Sequence, residues 1–336
     1  MMKRFIFILS ALTLLAACSS EDPGNKPLED GDRTVMMRTM TKADAAADTE
    51  QTPVLMFWLE GDHDKLGGES VQPYFVSRPQ GVVDDYKTTP YNTGFPYPGN
   101  TVIYANGYCP STLIAEGDGT YPWATLFVPS DMLGYIDVSA STNASGTTGF
   151  VKGSIDAPFE ADNGQTMNFS HLLSRVNFYA KLGDIPAEKF FRRARVGVDG
   201  KGVFTETFRW GDNDRYAAYG VTSSDQAYWS AQDANSNQMD PHEKEPRYIG
   251  SVYIHPGQGS IRFDVSVDMS ETVSFDSIEQ IQALSSSVTF RNDKDNDITL
   301  EAGDEYDITI TILYDSFAFE GRKAMWQDGG KIPLPF

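Results

Sequence analysis

The alternation that decides the fold is IRFDVSVDM at residues 261–269, where apolar and polar side chains follow each other without interruption. Successive side chains of a β-strand point to opposite faces, so this period of two predicts a strand with one buried and one solvated face. The same alternation recurs at residues 176–182 and 306–312. Because antiparallel strands with one wet face stack into sandwiches, the sequence predicts an all-β fold.

Further strands are predicted where β-branched and aromatic residues cluster between turn-forming residues. They are residues 53–59, 73–77, 100–104, 150–155, 195–198, 203–208, 247–255 and 287–291. Short helices are expected only at residues 185–193 and 277–284. Strands therefore dominate the prediction.

Length and composition indicate two folded domains. The chain has 336 residues, of which 40% are hydrophobic and 12% aromatic, and domains commonly hold about 150 residues. Residues 211–246 contain few aliphatic side chains and many Asp, Asn, Ser and Gln. We therefore predict two β-sandwich domains in series, at residues 53–212 and 213–336.

The N-terminus predicts export and lipidation. Lys3 and Arg4 precede an apolar stretch at residues 5–15, which is shorter than the about 20 residues needed to cross a bilayer. Leu-Ala-Ala-Cys at residues 15–18 resembles a bacterial lipobox, in which Cys18 is acylated and becomes the new N-terminus. The acidic stretch SSED at residues 19–22 resembles a surface-export tag of Bacteroidetes lipoproteins. Residues 1–17 are thus a predicted lipoprotein signal peptide, and the predicted location is the outer membrane, at the cell surface.

Charge argues against a nucleic-acid partner. The chain has 27 Lys and Arg against 47 Asp and Glu, a formal charge of −20. Binding to nucleic acid depends on basic side chains that neutralise phosphates. The densest basic run, at residues 192–195, contains only three charges.

Metal ligands are not clustered in the sequence. Once Cys18 is acylated, Cys109 has no cysteine partner, and the four histidines are scattered singly. The run DKDND at residues 293–297 opens like a calcium loop, but Ile298 occupies the sixth position, where glycine is needed. An acidic hairpin turn between two strands is the favoured interpretation, and we expect no metal or cofactor.

No motif indicates an enzyme. The sequence lacks G-x-S-x-G, a P-loop and H-E-x-x-H. His171 lies close to Ser170, Ser174 and Arg175, but a histidine at the start of a strand is more often a structural hydrogen-bonding group. Aromatic residues cluster at 91–100 and 121–123; they predict rigid loops packed over a sandwich end, with a sugar-stacking surface as the alternative.

Several stretches together resemble the fimbrillin family of Bacteroidales, the subunits of protease-assembled (type V) pili. They are residues 34–40 followed by 54–59, residues 102–110, residues 168–180 and residues 300–310. The resemblance covers nearly the whole chain. It implies a transthyretin-like N-terminal sandwich and a structural, tip or accessory role in a fimbrium that serves adhesion.

The resemblance also implies how such a subunit is assembled. An arginine-specific protease removes the first strand, and a strand of another pilus subunit fills the vacated groove, since open strand edges accept further strands. Here the removable strand would lie at residues 33–40, within a tether at residues 18–52. Cleavage is expected after Arg38, with Arg33 as the second choice. The tail at residues 315–336 contains two prolines and a Gly-Gly pair, so it is a poor continuous donor strand.

Two other classes of function stay open. A glycan-binding surface lipoprotein of a polysaccharide-uptake system would share the lipobox, the acidity and the sandwich. A surface hydrolase would need clustered acids in a cleft. The ligand of a fimbrial subunit would be a host protein or glycan.

Overall fold

Strands make up nearly all of the structure. The computed structural model describes residues 34–37, 39–41, 54–59, 76–77, 91–96, 103–110, 112–116, 125–142, 150–153, 167–185, 189–210, 216–232, 245–272, 274 and 276–324. The strands of the first half are β1 (Thr34–Met37), β2 (Thr39–Thr41), β3 (Val54–Leu59), β4 (Val76–Ser77), β5 (Tyr91–Pro96), β6 (Ile103–Cys109), β7 (Ile114–Glu116), β8 (Thr125–Phe127), β9 (Ser139–Thr142), β10 (Phe150–Gly153) and β11 (Met167–His171). Those of the second half are β12 (Ser174–Leu182), β13 (Phe190–Asp199), β14 (Thr205–Trp210), β15 (Tyr216–Val221), β16 (Tyr228–Gln232), β17 (Arg247–Ile254), β18 (Ser260–Ser270), β19 (Glu279–Arg291), β20 (Asp297–Ile298), β21 (Glu305–Ile312) and β22 (Phe317–Ala324).

The predicted all-β fold class is confirmed. Within the described residues the only helix is a single 3-10 turn at Ser130–Met132, and none is long and apolar enough to span a membrane. The three strands with strict alternation are β12, β18 and β21, and their alternate side chains are buried in the core.

Both predicted helices are wrong. Residues 190–193 open β13, in which Phe190 and Phe191 pair with Ser270 and Met269 of β18. Residues 279–284 open β19, which pairs with the opposite edge of β18. In both segments the helix-compatible composition is overridden, because pairing with β18 satisfies the backbone groups and covers one side of each strand.

The largest sheet has nine strands and folds over on itself. Its order is β16-β13-β18-β19-β22-β21-β12-β17, with β20 paired to β19. Strand β19 pairs with β18 along most of its length and with β22 at Phe290 and Arg291. The two halves of the sheet therefore share β19, and they face each other across the core. Phe178 of β12 lies 5.7 Å from Trp229 of β16 and 5.3 Å from Phe263 of β18, measured between ring centroids.

The two halves of the sheet share β19 at one edge of the sandwich. At the other edge, a short segment at residues 134–135 bridges β16 and β17. The amide of Tyr253 in β17 donates to the carbonyl of Gly134 at 2.9 Å. The amide of Ser230 in β16 donates to the Tyr135 hydroxyl at 3.0 Å, which in turn lies 3.3 Å from the Ser230 carbonyl. The two strands at the ends of the sheet order are thus joined by one segment.

The remaining strands form three smaller sheets. A seven-stranded sheet has the order β2-β11-β9-β6-β3-β4, with β10 paired to β6. A four-stranded sheet has the order β15-β14-β8-β7, and β1 pairs with β5 alone.

Strand pairing crosses the predicted domain division at residue 213. Strand β12 pairs with β17 and β21, and β13 pairs with β16 and β18. The structure therefore places residues 174–199 in one sheet with residues 247–324. The domain boundaries themselves stay a prediction.

Candidate functional site

The removable first strand that the resemblance implies, at residues 33–40, corresponds to two short strands with different partners. Strand β1 pairs antiparallel with β5, through Thr34, Met36 and Met37. Strand β2 runs parallel to β11, with Thr39–Thr41 opposite Met167–Phe169, and it is the terminal strand in the order of its sheet. Each strand is held by three register partners on one side.

The predicted cleavage sites flank these strands. Arg38 falls between β1 and β2, and Arg33 directly precedes β1; both lie outside the described residues, as does Cys18. Because β2 begins at Thr39, cleavage after Arg38 would detach only β1, leaving β2 attached to the body of the chain. Lys42 is the next basic residue, and it directly follows β2.

The last strand is integrated into the large sheet. Strand β22 pairs with β21 over eight residues, from Ala324 opposite Glu305 to Phe317 opposite Ile312. On its other side Gly321 and Arg322 pair with β19. A Cβ atom at Gly321 would lie 2.8 Å from the carbonyl oxygen of Thr289, so glycine permits this close approach. Residues 317–324 are therefore occupied within their own chain, and residues 325–336 of the predicted tail lie outside the described part.

His171 lies in a buried contact with Asp137. Its Nδ1 atom is 2.7 Å from Asp137 Oδ2, and both side chains are 11% exposed. The hydroxyl of Ser174 donates instead to the Glu301 carbonyl at 2.9 Å. The nucleophile and the base of a catalytic pair must lie within hydrogen-bond reach of each other. The Ser174 hydroxyl is instead bound to a backbone carbonyl, and this contact holds a turn in place. The Asp137 partner was not predicted from the sequence, because it lies 34 positions away.

A polar network beside this contact fixes the central strands. Asn177 of β12 donates to Glu305 and, at 2.9 Å, to Asp307, both in β21. Ser251 of β17 donates to the Asn177 side-chain oxygen and accepts from Arg175 Nε at 3.3 Å. Buried polar groups are stabilising when they are hydrogen-bonded, so this network specifies the register of the three strands.

The pKa values of Asp307 and Arg175, two ionisable groups of the network, are both raised. Burial raises the pKa of Asp307, against the opposing effect of the Asn177 hydrogen bond. Burial alone would lower the pKa of Arg175, but Tyr253 and Glu305 nearby hold it above its usual value. The arrangement stabilises a charged arginine in a largely buried site.

The acidic stretch at residues 293–297 forms the predicted hairpin turn. It joins β19, which ends at Arg291, to β20. Asn292 caps the turn: its side-chain oxygen accepts the amides of Lys294 and Asn296, at 2.9 and 3.1 Å. The Arg291 Nε atom lies 3.3 Å from Asp297. Among the described residues no group of three or more His, Cys, Asp or Glu is arranged to hold a metal ion.

Only part of the two predicted aromatic loops lies within the described residues. Tyr91–Pro96 is strand β5 rather than a loop, because it pairs with β1. Residues 121–123 lie outside the described residues. Cys109 is buried at the end of β6 and forms no disulfide within the described residues.

Comparison with known proteins gives one family model and several solved structures. Residues 2–19 match the model of the prokaryotic membrane lipoprotein lipid attachment site. This match confirms the predicted lipoprotein signal, and it includes Cys18. No curated protein matches the chain, and the comparisons indicate no enzyme family.

Among the solved structures that match are a fimbrial protein and two candidate cell adhesion proteins of Bacteroides. A fimbrial protein from Bacteroides vulgatus aligns with 87% of this chain and 99% of its own, at 12% identity and a TM-score of 0.49. A candidate cell adhesion protein from Bacteroides uniformis aligns with 88% and 99%, at 10% identity and a TM-score of 0.43. Another from Bacteroides ovatus aligns with 88% and 98%, at 12% identity and a TM-score of 0.46. At these sequence identities and TM-scores, the function has to be inferred from this chain's own residues.

Proposed function

We propose that the chain is a subunit of a cell-surface fimbria, made as a lipid-anchored precursor and assembled by strand exchange for adhesion. The observation that supports this most directly is the attachment of the first strands. Strands β1 and β2 are each paired on one side over three register positions. Removing them would expose the edges of β5 and β11, and an exposed edge with free amide and carbonyl groups accepts a strand of another subunit.

Cleavage at Arg38 is the proposed activation step. It would detach β1 and free the edge of β5, while β2 keeps the edge of β11 covered. Cleavage after Lys42 would detach both strands. Two proteolytic products with different acceptor edges are therefore expected, with new N-termini at Thr39 and Ala43.

Limited trypsin treatment of the purified full-length precursor tests this step. We expect new termini at Thr39 and Ala43 and the formation of multimers, measured by N-terminal sequencing and size-exclusion chromatography. The Arg38→Ala variant should stay monomeric when treated with an arginine-specific protease, and Arg33→Ala is the matched control that should still polymerise. Multimers of Arg38→Ala equal to those of the parent would contradict the proposed cleavage site.

Anchoring at the outer membrane is the second part of the proposal. Cys18, within the matched lipid attachment site, would receive acyl chains, and two chains hold a protein stably on a membrane where one does not. The Cys18→Ser variant should be released into the soluble fraction or should keep its signal peptide. Unchanged membrane fractionation of this variant would contradict the anchor.

A further inference from the structure

A tyrosine lies flat on the outer face of the large sheet. Tyr228 of β16 is opposite Asp199 of β13, and Gly197 of β13 is opposite Asp264 of β18. Directly opposed residues, and residues two apart on one strand, share a face of the sheet. All four residues therefore share one face, while Trp229, next to Tyr228, is buried in the core.

The missing side chain of Gly197 makes room for the tyrosine. A Cβ atom at Gly197 would lie 1.6 Å from the Tyr228 hydroxyl and 2.4 Å from its ring carbon Cζ. The ring therefore crosses β13 and points its hydroxyl towards β18. It is held against the sheet on one side, yet the residue is still 52% exposed.

Carboxylate groups flank the ring at both ends. Asp264 Oδ1 accepts the amide of Ser285 at 2.7 Å, and Asp199 Oδ1 accepts the amide of Lys201 at 3.0 Å. Among the described residues the second oxygen of each has no hydrogen-bond donor. Burial raises the pKa of Tyr228, and the charges of Asp264, Tyr135 and Asp199 add to this rise.

This combination of groups suits a sugar ring. One face of a pyranose presents C–H groups, which pack on the electron-rich face of an aromatic side chain. Its hydroxyls are donors, and ionised carboxylates accept hydrogen bonds only. The exposed Arg262 lies two residues from Asp264 on the same face and adds a donor for sugar oxygens.

We propose that Tyr228, flanked by Asp199 and Asp264, is a binding site for neutral pyranose units of a glycan. An aromatic ring over a strand glycine also stabilises a sheet by covering its backbone. That role alone needs neither exposure of the other ring face nor unoccupied acceptor oxygens beside it. The two carboxylates and the chain charge of −20 disfavour anionic glycans. The proposal does not depend on strand exchange, because the site is complete within one chain.

Calorimetric titration of the full-length protein with maltohexaose, cellohexaose and mannohexaose tests the site. The parent should bind at least one of them, and Tyr228→Ala should weaken binding about tenfold or more through loss of the stacking surface. Gly197→Ala should have the same effect, since its methyl group displaces the ring without removing a polar group. Tyr228→Phe should stay within about threefold of the parent, because it keeps the ring.

Tyr219→Ala is the matched control. Tyr219 is 64% exposed but lies on β15, in the four-stranded sheet, with Arg209 5.0 Å from its ring centroid; its removal should leave sugar binding unchanged. Melting temperatures of all variants separate loss of binding from loss of fold. The site would be refuted if the parent bound none of the three sugars at millimolar concentration, if Tyr228→Ala bound like the parent, or if heparin or polygalacturonate bound more tightly than the neutral sugars.

Discussion

The first and last strands of the chain are held in opposite ways. Among the described residues, strands β1 and β2 each have three register partners, on a single side. Strand β22 has eight partners on β21 and two on β19, and Phe319 packs 5.1 Å from Phe263 across the sandwich. Removing the first strands breaks short ladders, whereas removing the last would open the core. This contrast is the reason why we propose the N-terminal strands, and not residues 317–324, as the part of the chain that is exchanged.

The largest effect is expected where β19, β21 and β22 meet. Phe290 is fully buried and lies 5.3 Å from Tyr306, between ring centroids. Phe290→Ala should lower the free energy of unfolding by about 3–5 kcal/mol, through lost burial and a residual cavity. Urea denaturation measures this value. Ile278→Ala, at a position that is 56% exposed, is the control. Equal effects of the two variants would show that the packing of β22 onto β19 and β21 does not stabilise the fold as proposed.

A methyl group at Gly321 should produce the next largest effect. It would meet the backbone oxygen of Thr289 and the side chain of Phe290, which lies 3.1 Å away. Gly321→Ala should therefore cost about 1–3 kcal/mol of stability by forcing β22 away from β19. Gly259→Ala is the matched control, because a methyl group there would meet nothing within 4 Å. A stabilised Gly321→Ala protein would show that the two strands are not closely packed.

How far the sequence predicted this fold depends on where each strand finds its partner. Strands β12, β18 and β21 were predicted because alternation is visible within each of them. Strand β19 was predicted only from residue 287, because its first half becomes a strand through pairing with β18. The proposed sugar site could not be predicted, since Gly197 and Tyr228 are 31 positions apart and only the pairing of β13 with β16 brings them together.

A smaller effect that depends on pH is expected on the outer face of the same sheet. Arg195 donates to both oxygens of Asp268, at 2.8 and 2.9 Å, and holds the pKa of Asp268 below its usual value of 3.8. A lowered folded pKa stabilises the protein above the unfolded pKa, and this contribution is lost as the pH falls through the folded pKa.

Asp268→Asn should therefore cost about 1 kcal/mol at pH 7 and progressively less as the pH falls below about 4. Urea denaturation of parent and variant across this range measures the difference. A difference that is constant with pH would show that packing, rather than the ion pair, accounts for the effect.

The smallest effect on stability is expected from removal of the N-terminal strand β1. Cleavage after Arg38 should change the free energy of unfolding of the large sheet by less than about 0.5 kcal/mol, because within the described part of the chain β1 pairs with β5 and not with a strand of the large sheet. Tryptophan fluorescence, to which the buried Trp229 of that sheet contributes, follows this transition. A loss of more than about 1 kcal/mol would mean that β1 supports the core.

The parallel pairing of β12 with β21 has a consequence for the order in which the chain folds. Asn177 and Glu305, which share a hydrogen bond across this pair, are 128 positions apart. Contacts between distant segments form slowly, and synthesis delivers the N-terminal segments first. Until the last tenth of the chain arrives, the edge of β12 that pairs with β21 has no partner. We expect nascent or truncated chains that end before residue 305 to aggregate or to need a chaperone, although they carry no substitution.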